Sequence, residues 1–295
     1  MVHALDHAVN RTGQFIGFDK NDDGRLVVNE DEAKLVRRIY KEFMEGFSCG
    51  AIASRLNEES IPGVSGEPKW LPVTIRGMLK NEKYMGDRLL QKTYTADFLT
   101  RKQVKNEGEI TQYYVKDSHP GIIPKEEWTA VQQEFDRIDA YMQAHGLTHF
   151  GYGSEMRPFS SKVICGKSGR IYGKKAHSAR EKTYWQCNTR CYSGVGACDG
   201  DNVDEAVIHK VFVEARNMVI RQQDELNKRW MKQEEEGIEL QAFRARQMQE
   251  LVKQGPITDL IPELVQMVLE SIVIKGGYSF DVYFLDTTCI NVSFP

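Results

Sequence analysis

The stretch Ser161–Cys198 decides what kind of fold this chain can form, and it reads SKVICGKSGRIYGKKAHSAREKTYWQCNTRCYSGVGAC. It holds four of the six cysteines of the chain. Between Arg157 and Tyr192 there are nine Lys or Arg residues and a single acid, Glu181. Glycine, cysteine and cationic residues combine here with little apolar periodicity. The stretch therefore predicts a small domain that is held together by a metal ion and binds nucleic acid.

The composition of the whole chain excludes several classes of protein. A length of 295 residues suits two or three domains rather than one core. The sequence contains neither a run of apolar residues long enough to span a membrane nor a secretory signal. Clustered cysteines favour a reducing compartment, so we expect a cytoplasmic protein with neither a membrane nor a small-molecule partner. The formal charge of −3 means that any nucleic-acid surface must be local.

Hydrophobic periodicity predicts an α+β, multidomain chain. Helical spacing follows Asn29, Ser48, Leu71, Pro124 and Asp204, whereas the segments after Asn81 and the closing stretch ESIVIKGGYSFDVYF are typical of strands. The last of these predicts a hairpin that turns at Gly276 and Gly277. The predicted parts are an N-terminal linker or truncation edge (1–15), a mixed helical and β domain (16–140), a linker (141–158), a cysteine module (159–201), a helical insertion (202–253) and a C-terminal helix and hairpin (254–295).

The segment Asp19–Glu30, DKNDDGRLVVNE, has the spacing of a calcium-binding loop. Such loops normally occur in pairs, and the sequence has no second copy. The alternative interpretation is an Asp/Asn/Gly turn between two short strands, followed by a helix capped by Asn29.

Two short helices between Ser48 and Lys80 have the outline of a helix–loop–helix reader of DNA. The second helix would present Thr74, Arg76 and Lys80 to a major groove while the first helix crosses the backbone. The alternative is a small helical bundle with solvated cations. Trp70 is expected to anchor the core rather than to contact a base.

The order of GFDKNDDGRLVVNEDEAKLVRRIYKEF, AIASRLNEESIPG, TIRGMLKNEKYMGD, HPGIIPKEEW and a Cys-rich basic module resembles the C-terminal half of the large serine recombinases. The resemblance covers residues 17–292. It implies a recombinase DNA-binding domain, then a zinc-ribbon-like β domain interrupted by a helical coiled-coil insertion, with the closing hairpin completing the ribbon domain. The insertion is shorter than the long coiled coils of this family.

The same resemblance implies sequence-specific binding of double-stranded DNA at recombination (attachment) sites, in DNA integration or excision. The family's catalytic domain, with its serine nucleophile, should precede this region. We therefore expect this chain to target DNA without chemistry of its own, as part of a parent serine recombinase encoded by a bacterium, a phage or a mobile element.

The resemblance also implies a zinc site, whose first knuckle in the family is Cys-x-x-Cys-Gly. Here it reads Cys165-Gly-Lys-Ser168-Gly169, so a serine replaces an expected ligand. Cys187 and Cys198 would form the second pair, which leaves three thiols and a gap that Cys191 or His177 would fill. The alternative is a ribbon that folds without metal around its apolar residues.

DNA affinity would come from cations that neutralise phosphates. The candidates in the cysteine module are Lys162, Lys167, Arg170, Lys174, Lys175, Arg180, Lys182 and Arg190. A loop-like stretch of the first domain adds Arg101, Lys102 and Lys105. Base reading would fall to the helix that bears Thr74, Arg76 and Lys80.

Two other functions compete with DNA targeting. A zinc-dependent hydrolase is disfavoured because Glu181 is the single acid close to the thiols in sequence, and catalytic zinc normally needs a general base. A non-catalytic, metal-stapled scaffold would self-associate through residues 204–253, and it would do so without nucleic acid.

Overall fold

A computed structural model describes residues 15–63, 65–97, 99–100, 102–148, 150, 157–177, 182–193 and 196–294. These residues form two compact units: residues up to 43 together with 48–132, and residues 44–47 together with 133 onward. Both units mix helices and strands, which confirms the predicted α+β class. Among the described residues, no helix is long and apolar enough to cross a membrane.

The first unit begins with a hairpin and a long amphipathic helix. Strands β1 (Phe18–Lys20) and β2 (Leu26–Val28) pair antiparallel, and helix α1 (Glu30–Met44) follows. The turn between the strands is held by Asn21, whose side chain accepts a hydrogen bond from the Arg25 N–H at 2.8 Å. The Asn29 amide donates to Asp19 at 2.9 Å and accepts from the Glu32 N–H at 3.3 Å. The segment thus forms the turn and capped helix of the alternative interpretation.

Helices α2 (Cys49–Glu58) and α3 (Pro72–Leu79) follow as the sequence predicted. Ser48 caps α2 by accepting a hydrogen bond from the Ala51 N–H at 2.8 Å, and Pro72 occupies the first turn of α3. The remaining elements of this unit are a 3-10 turn (Glu82–Met85), β3 (Arg88–Leu90), β4 (Thr93–Asp97), β5 (Lys102–Lys105), β6 (Tyr113–Val115) and α4 (Lys125–His145), the last of which continues into the second unit.

The second unit is built on two antiparallel-rich sheets. One has the strand order β10 (Val203–Asp204), β9 (Lys182–Cys187), β8 (Tyr172–His177); the other has the order β13 (Cys289–Ser293), β12 (Ser279–Phe284), β11 (Leu269–Gly276), β7 (Val163–Cys165). Strand β7 pairs parallel to β11, with Ile272 opposite Val163 and Ile274 opposite Cys165. The chain therefore closes the ribbon sheet with residues far along the sequence from the first cysteine.

The helices of the second unit pack on these sheets through a common apolar core. The short helix α5 (Asn188–Ser193) has no buried residue. The helices that contribute to the core are α6 (Glu205–Arg221), α7 (Gln223–Glu236), α8 (Glu239–Lys253) and α9 (Pro262–Val268). Trp230 of α7 is fully buried, and its indole N–H donates to Asp286 at 2.6 Å. The insertion thus contributes its own apolar face to the core.

Three details differ from the sequence expectation. Helix α4 runs to His145, whereas a linker was expected from residue 141. The polar helix of the insertion is broken at Gly237, where an added Cβ would lie 2.3 Å from the Gln233 carbonyl oxygen. The closing hairpin turns at Gly277 and Tyr278, both with positive φ (58° and 55°), one residue later than expected.

Candidate metal centre and nucleic-acid interface

Three thiols converge between the sheets of the second unit. The sulfurs of Cys165, Cys187 and Cys198 lie within 4.8 Å of one another, and all three side chains are buried. Cys165 ends β7 and Cys187 ends β9, so two strand ends supply two of the thiols. Gly200 passes so close that an added Cβ would lie 3.2 Å from the Cys165 sulfur. The backbone thus encloses the cluster tightly.

The tight turn after Cys165 has the shape of a metal knuckle. The Gly169 N–H donates to the Cys165 carbonyl at 2.8 Å, and the Cys165 N–H donates to the Arg170 carbonyl at 2.8 Å. Gly169 adopts a φ of +70°, a conformation that favours glycine. This turn directs the Ser168 hydroxyl to 3.2 Å from the Cys187 sulfur.

The donors of this cluster fit a zinc ion. Zinc prefers a tetrahedron of thiolates and nitrogens at about 2.3 Å and about 2.0 Å. The Cys165 and Cys198 sulfurs are 3.6 Å apart, close to the spacing of two sulfurs on one zinc ion. Burial opposes ionisation of Cys187, but hydrogen bonds from Ser168, Thr189 and the Arg190 backbone lower the pKa of this thiol to about 7. Burial raises the pKa of Cys198. These residues would hold the ion and staple two strand ends together.

Cys191 lies outside the group of converging thiols. It stands on α5, and its thiol is hydrogen-bonded to Lys175. The backbone of His177 ends β8. The structure therefore brings together three of the four cysteines that the sequence selected, with Ser168 beside them.

In the first unit, α3 is fixed firmly by polar contacts at both ends. Trp70, 2% exposed, exchanges two hydrogen bonds with the Asn57 side chain, at 2.7 and 3.0 Å, and its indole donates to Ile61. At the other end, the buried Tyr40 hydroxyl donates to the carbonyls of Met78 and Leu79. These hydrogen bonds fix the loop and both ends of the helix in position. Trp70 is the core anchor that the sequence indicated.

The outer face of α3 is accessible along its length. Arg76 and Lys80 are exposed on this face, and Val73 is 71% exposed beside them. An added Cβ at Gly77 would meet no atom within 4 Å, so the backbone itself is open there. Thr74 is half-buried and lies at the edge of this face. This face of α3 is therefore exposed and carries two cationic side chains.

Comparison with known proteins identifies two domains in this chain. Residues 30–137 match the model of the Recombinase family, and residues 158–217 match that of the recombinase zinc beta ribbon domain. This chain carries the domain pair of the recombinases. The order of the two domains confirms the resemblance to the large serine recombinases.

One curated relative, described as "Putative DNA recombinase" of Bacillus subtilis (strain 168), is 26% identical over 179 residues. The alignment covers 57% of this chain and 34% of that protein, so the chain spans about a third of the relative's length. Two solved structures are each 16% identical to this chain. One is described as "Crystal Structure of a LSR-DNA Complex" (TM-score 0.47; 94% of both chains covered). The other is described as "Sequence Requirements of the Listeria innocua prophage attP site" (TM-score 0.45; 94% of this chain and 93% of that one covered).

Within the zinc-ribbon domain, Lys162 is not the surface cation that its sequence context predicted. Its side chain is buried, and its ammonium donates to the Leu269 carbonyl. Burial lowers the pKa of Lys162 to about 7. A buried amine cannot reach a phosphate, so Lys162 is corrected from a DNA contact to a structural residue.

Other ribbon cations are engaged by partners that the sequence count left out. Lys174 pairs with Glu205 at 2.6 Å, and Lys167 pairs with Asp199 at 2.9 Å. Arg190 donates to the Gly200 carbonyl at 3.2 Å, beside the thiols, and Arg170 donates to the carbonyls of His145 and Gly146. Folding thus offsets part of the local positive charge and places the Arg190 guanidinium against the backbone beside the thiols.

The remaining candidates are placed as follows. Arg101 and Arg180 lie outside the described residues. Lys102 begins β5 and Lys182 begins β9. The Lys105 side chain is 79% exposed at the end of β5, within 3.4 Å of Glu107.

Sequence reasoning missed Val73 and Gly77 as members of the α3 face. The signal was available, because residues 73, 76, 77 and 80 recur at helical spacing. It was overlooked because neither Val73 nor Gly77 carries a charge or a hydrogen-bonding side chain.

Proposed function

We propose that this chain is the DNA-targeting region of a serine site-specific recombinase, which binds double-stranded DNA at attachment sites during integration or excision. The observation that carries the proposal is the exposed, cationic face of α3, held by Trp70 and Tyr40 inside the matched recombinase domain. A helix presented in this way can place an arginine against a guanine edge.

The zinc ribbon supplies the second part of the proposal. A zinc ion held by Cys165, Cys187 and Cys198 staples the strand ends that carry the basic segment. Phosphate contacts from Lys175 and Lys182, and from Lys105 in the recombinase domain, add affinity that is independent of sequence. Strand cleavage is assigned to the rest of the parent recombinase, consistent with a chain that spans 34% of its relative.

The experiment is a selection of bound duplexes from a random pool, followed by titration of the selected and a scrambled duplex across a salt series. We expect nanomolar binding of the selected duplex, with affinity that falls steeply as salt rises. Absence of binding at low salt, with zinc present, would refute the proposal.

Two variants separate base reading from phosphate binding. Arg76→Ala should reduce the preference for the selected duplex by about 1–3 kcal/mol at one base pair. Lys105→Ala, the matched control, should weaken both duplexes alike and reduce the salt slope by about 1. If the two variants weaken all duplexes equally, α3 is not the reading helix.

The scaffold function receives less support from the geometry. The apolar faces of α7 and α8 are used inside their own unit, where Trp230, Ala245 and Met248 are buried. Sedimentation without DNA distinguishes the two functions, because a scaffold self-associates and a DNA-targeting region does so only on its site.

A further inference from the structure

The knuckle turn presents position 168 to the thiol cluster even though the residue there is not a cysteine. The backbone hydrogen bonds from Gly169 to Cys165 and from Cys165 to Arg170 are intact, at 2.8 Å each. The Ser168 oxygen lies 3.2 Å from the Cys187 sulfur. Serine therefore replaces the thiol that this turn would offer to the cluster, with an oxygen in place of a sulfur.

The chemistry of that oxygen differs from the chemistry of a thiol. An alcohol keeps its proton at neutral pH, so it donates a hydrogen bond to a thiolate rather than binding zinc as an anion. The Ser168 hydroxyl lies 3.2 Å from the Cys187 sulfur, and beside a thiolate the hydroxyl would be the donor. The donor set is thus three sulfurs, and the fourth position of a tetrahedral ion is left to another ligand.

The turn that carries Ser168 lies at the surface beside the buried thiols. Cys165 and Cys187 are 1% and 0% exposed, whereas the turn residues Gly166, Lys167 and Gly169 are exposed. Ser168 itself is half-buried, so the turn is the side from which a solvent ligand would approach the cluster. Structural zinc sites are normally closed by four protein ligands, whereas an open position allows ligand exchange.

We propose that Ser168 makes this an open three-thiolate zinc site, in which an exchangeable solvent oxygen completes the tetrahedron. This inference rests on the proposed zinc binding. Two properties follow: zinc leaves the ribbon more readily than it leaves a four-thiolate site, and a small soft donor such as a thiol or an imidazole can enter the fourth position. Ser168 acts as a positioning residue that hydrogen-bonds the Cys187 thiolate.

The test compares the full chain with Ser168→Cys, and with Ser293→Cys as a control that adds a thiol on exposed strand β13. Zinc affinity is measured by competition with a chromogenic chelator. Ser168→Cys should bind zinc at least about tenfold more tightly than the wild type, because it supplies a fourth thiolate on the same backbone. Ser293→Cys should match the wild type.

Cobalt substitution gives a second readout. Sulfur-to-cobalt charge-transfer absorption should be more intense in Ser168→Cys than in the wild type, since one more thiolate binds the ion. Titration with imidazole should shift the visible bands of the wild-type cobalt form and leave those of Ser168→Cys unchanged.

Equal zinc affinities, or a wild-type cobalt spectrum that ignores imidazole, would overturn the open site and leave zinc binding itself intact. Failure of both proteins to bind zinc would overturn the zinc proposal together with this inference. The proposed DNA targeting is judged separately, by the duplex titrations.

Discussion

At the scale of single residues, Lys162 shows how burial converts a cation into a structural group. Its ammonium lies among charged side chains of the same unit and donates to the Leu269 carbonyl. Burial lowers its pKa to about 7. The positive charges of Arg137 and Arg244 also lower this pKa, whereas the negative charges of Glu134 and Glu270 raise it. The amine is therefore held in an environment that disfavours its charged form.

This environment predicts a pH-dependent effect of Lys162→Met. The folded pKa lies below the ordinary lysine value of about 10.4, so the unfolded chain binds more protons than the folded chain between about pH 7 and pH 10. Wild-type stability should therefore rise with pH across that range, by up to about 1.4 kcal/mol per pH unit. Lys162→Met should be the more stable protein at pH 7, and its advantage should shrink towards pH 10.

Urea unfolding at pH 7, 8.5 and 10 measures this difference. Lys210→Met, at an exposed position of α6, serves as the control and should differ from the wild type by the same amount at each pH. A constant offset for Lys162→Met would show that the amine keeps its ordinary pKa.

Residue identity predicted the thiol cluster better than it predicted the cations. Thiols seldom converge in a buried place unless a metal or a disulfide uses them. The resemblance to the family implied Cys165, Cys187 and Cys198 as ligands, and the structure brings these three together but not Cys191. Cations are common at every surface, and their availability depends on neighbours that folding supplies. Asp199 and Glu205 lie just beyond the counted window, which is why the sequence overestimated the free charge of the ribbon.

At the scale of elements, α8 is fixed to its unit by a buried arginine. The Arg244 guanidinium pairs with Glu134 of α4 at 3.1 Å and donates to the Met44 carbonyl at 3.0 Å. Glu134 is fully buried; burial opposes its ionisation, but Arg244 and Arg137 lower its pKa to about 2. The charges compensate one another, so removal of one leaves the others unpaired.

We therefore expect Arg244→Ala to lower the free energy of unfolding by about 3–5 kcal/mol, the cost of an uncompensated buried carboxylate. Arg246→Ala is the matched control on the exposed side of the same helix. It should change the free energy of unfolding by less than about 0.5 kcal/mol. Guanidinium unfolding monitored by circular dichroism measures both. Equal effects would indicate that the pair contributes no more than a surface charge.

The helices themselves were predictable from periodicity, but their breaks and contacts were not. The cap at Ser48 and the proline of α3 gave boundaries because their signals are local. The bend at Gly237 depends on a close backbone approach, and the docking of α8 depends on Arg244 meeting a residue 110 positions earlier. Neither has a signature within a short window of sequence.

At the scale of the whole molecule, the chain divides into two compact units, and the thiol cluster belongs to the second. A metal ion stabilises the folded state that contains its site and leaves a separate cooperative unit unaffected. We therefore expect zinc to stabilise the second unit against unfolding and to leave the unfolding of the first unit unchanged.

Differential scanning calorimetry should show two transitions, and a chelator should lower the Tm of one. Cys187→Ala should have that transition already lowered in the absence of chelator, and chelator should then shift it no further. A chelator that moves both transitions equally would show that the two units unfold as one.

The parallel contact between β7 and β11 carries a further consequence, which concerns synthesis of the chain. Val163 and Cys165 have their strand partners at Ile272 and Ile274. Strand β7 therefore stays unpaired while more than 100 further residues are translated. A ribosome adds roughly 5–20 residues per second, so this interval lasts several seconds. During it Cys165 has left the ribosome before its strand partner has been made. We therefore expect the metal to bind after the chain is complete. A chain that ends before residue 269 would carry the three cysteines without the strand that holds Cys165 in place.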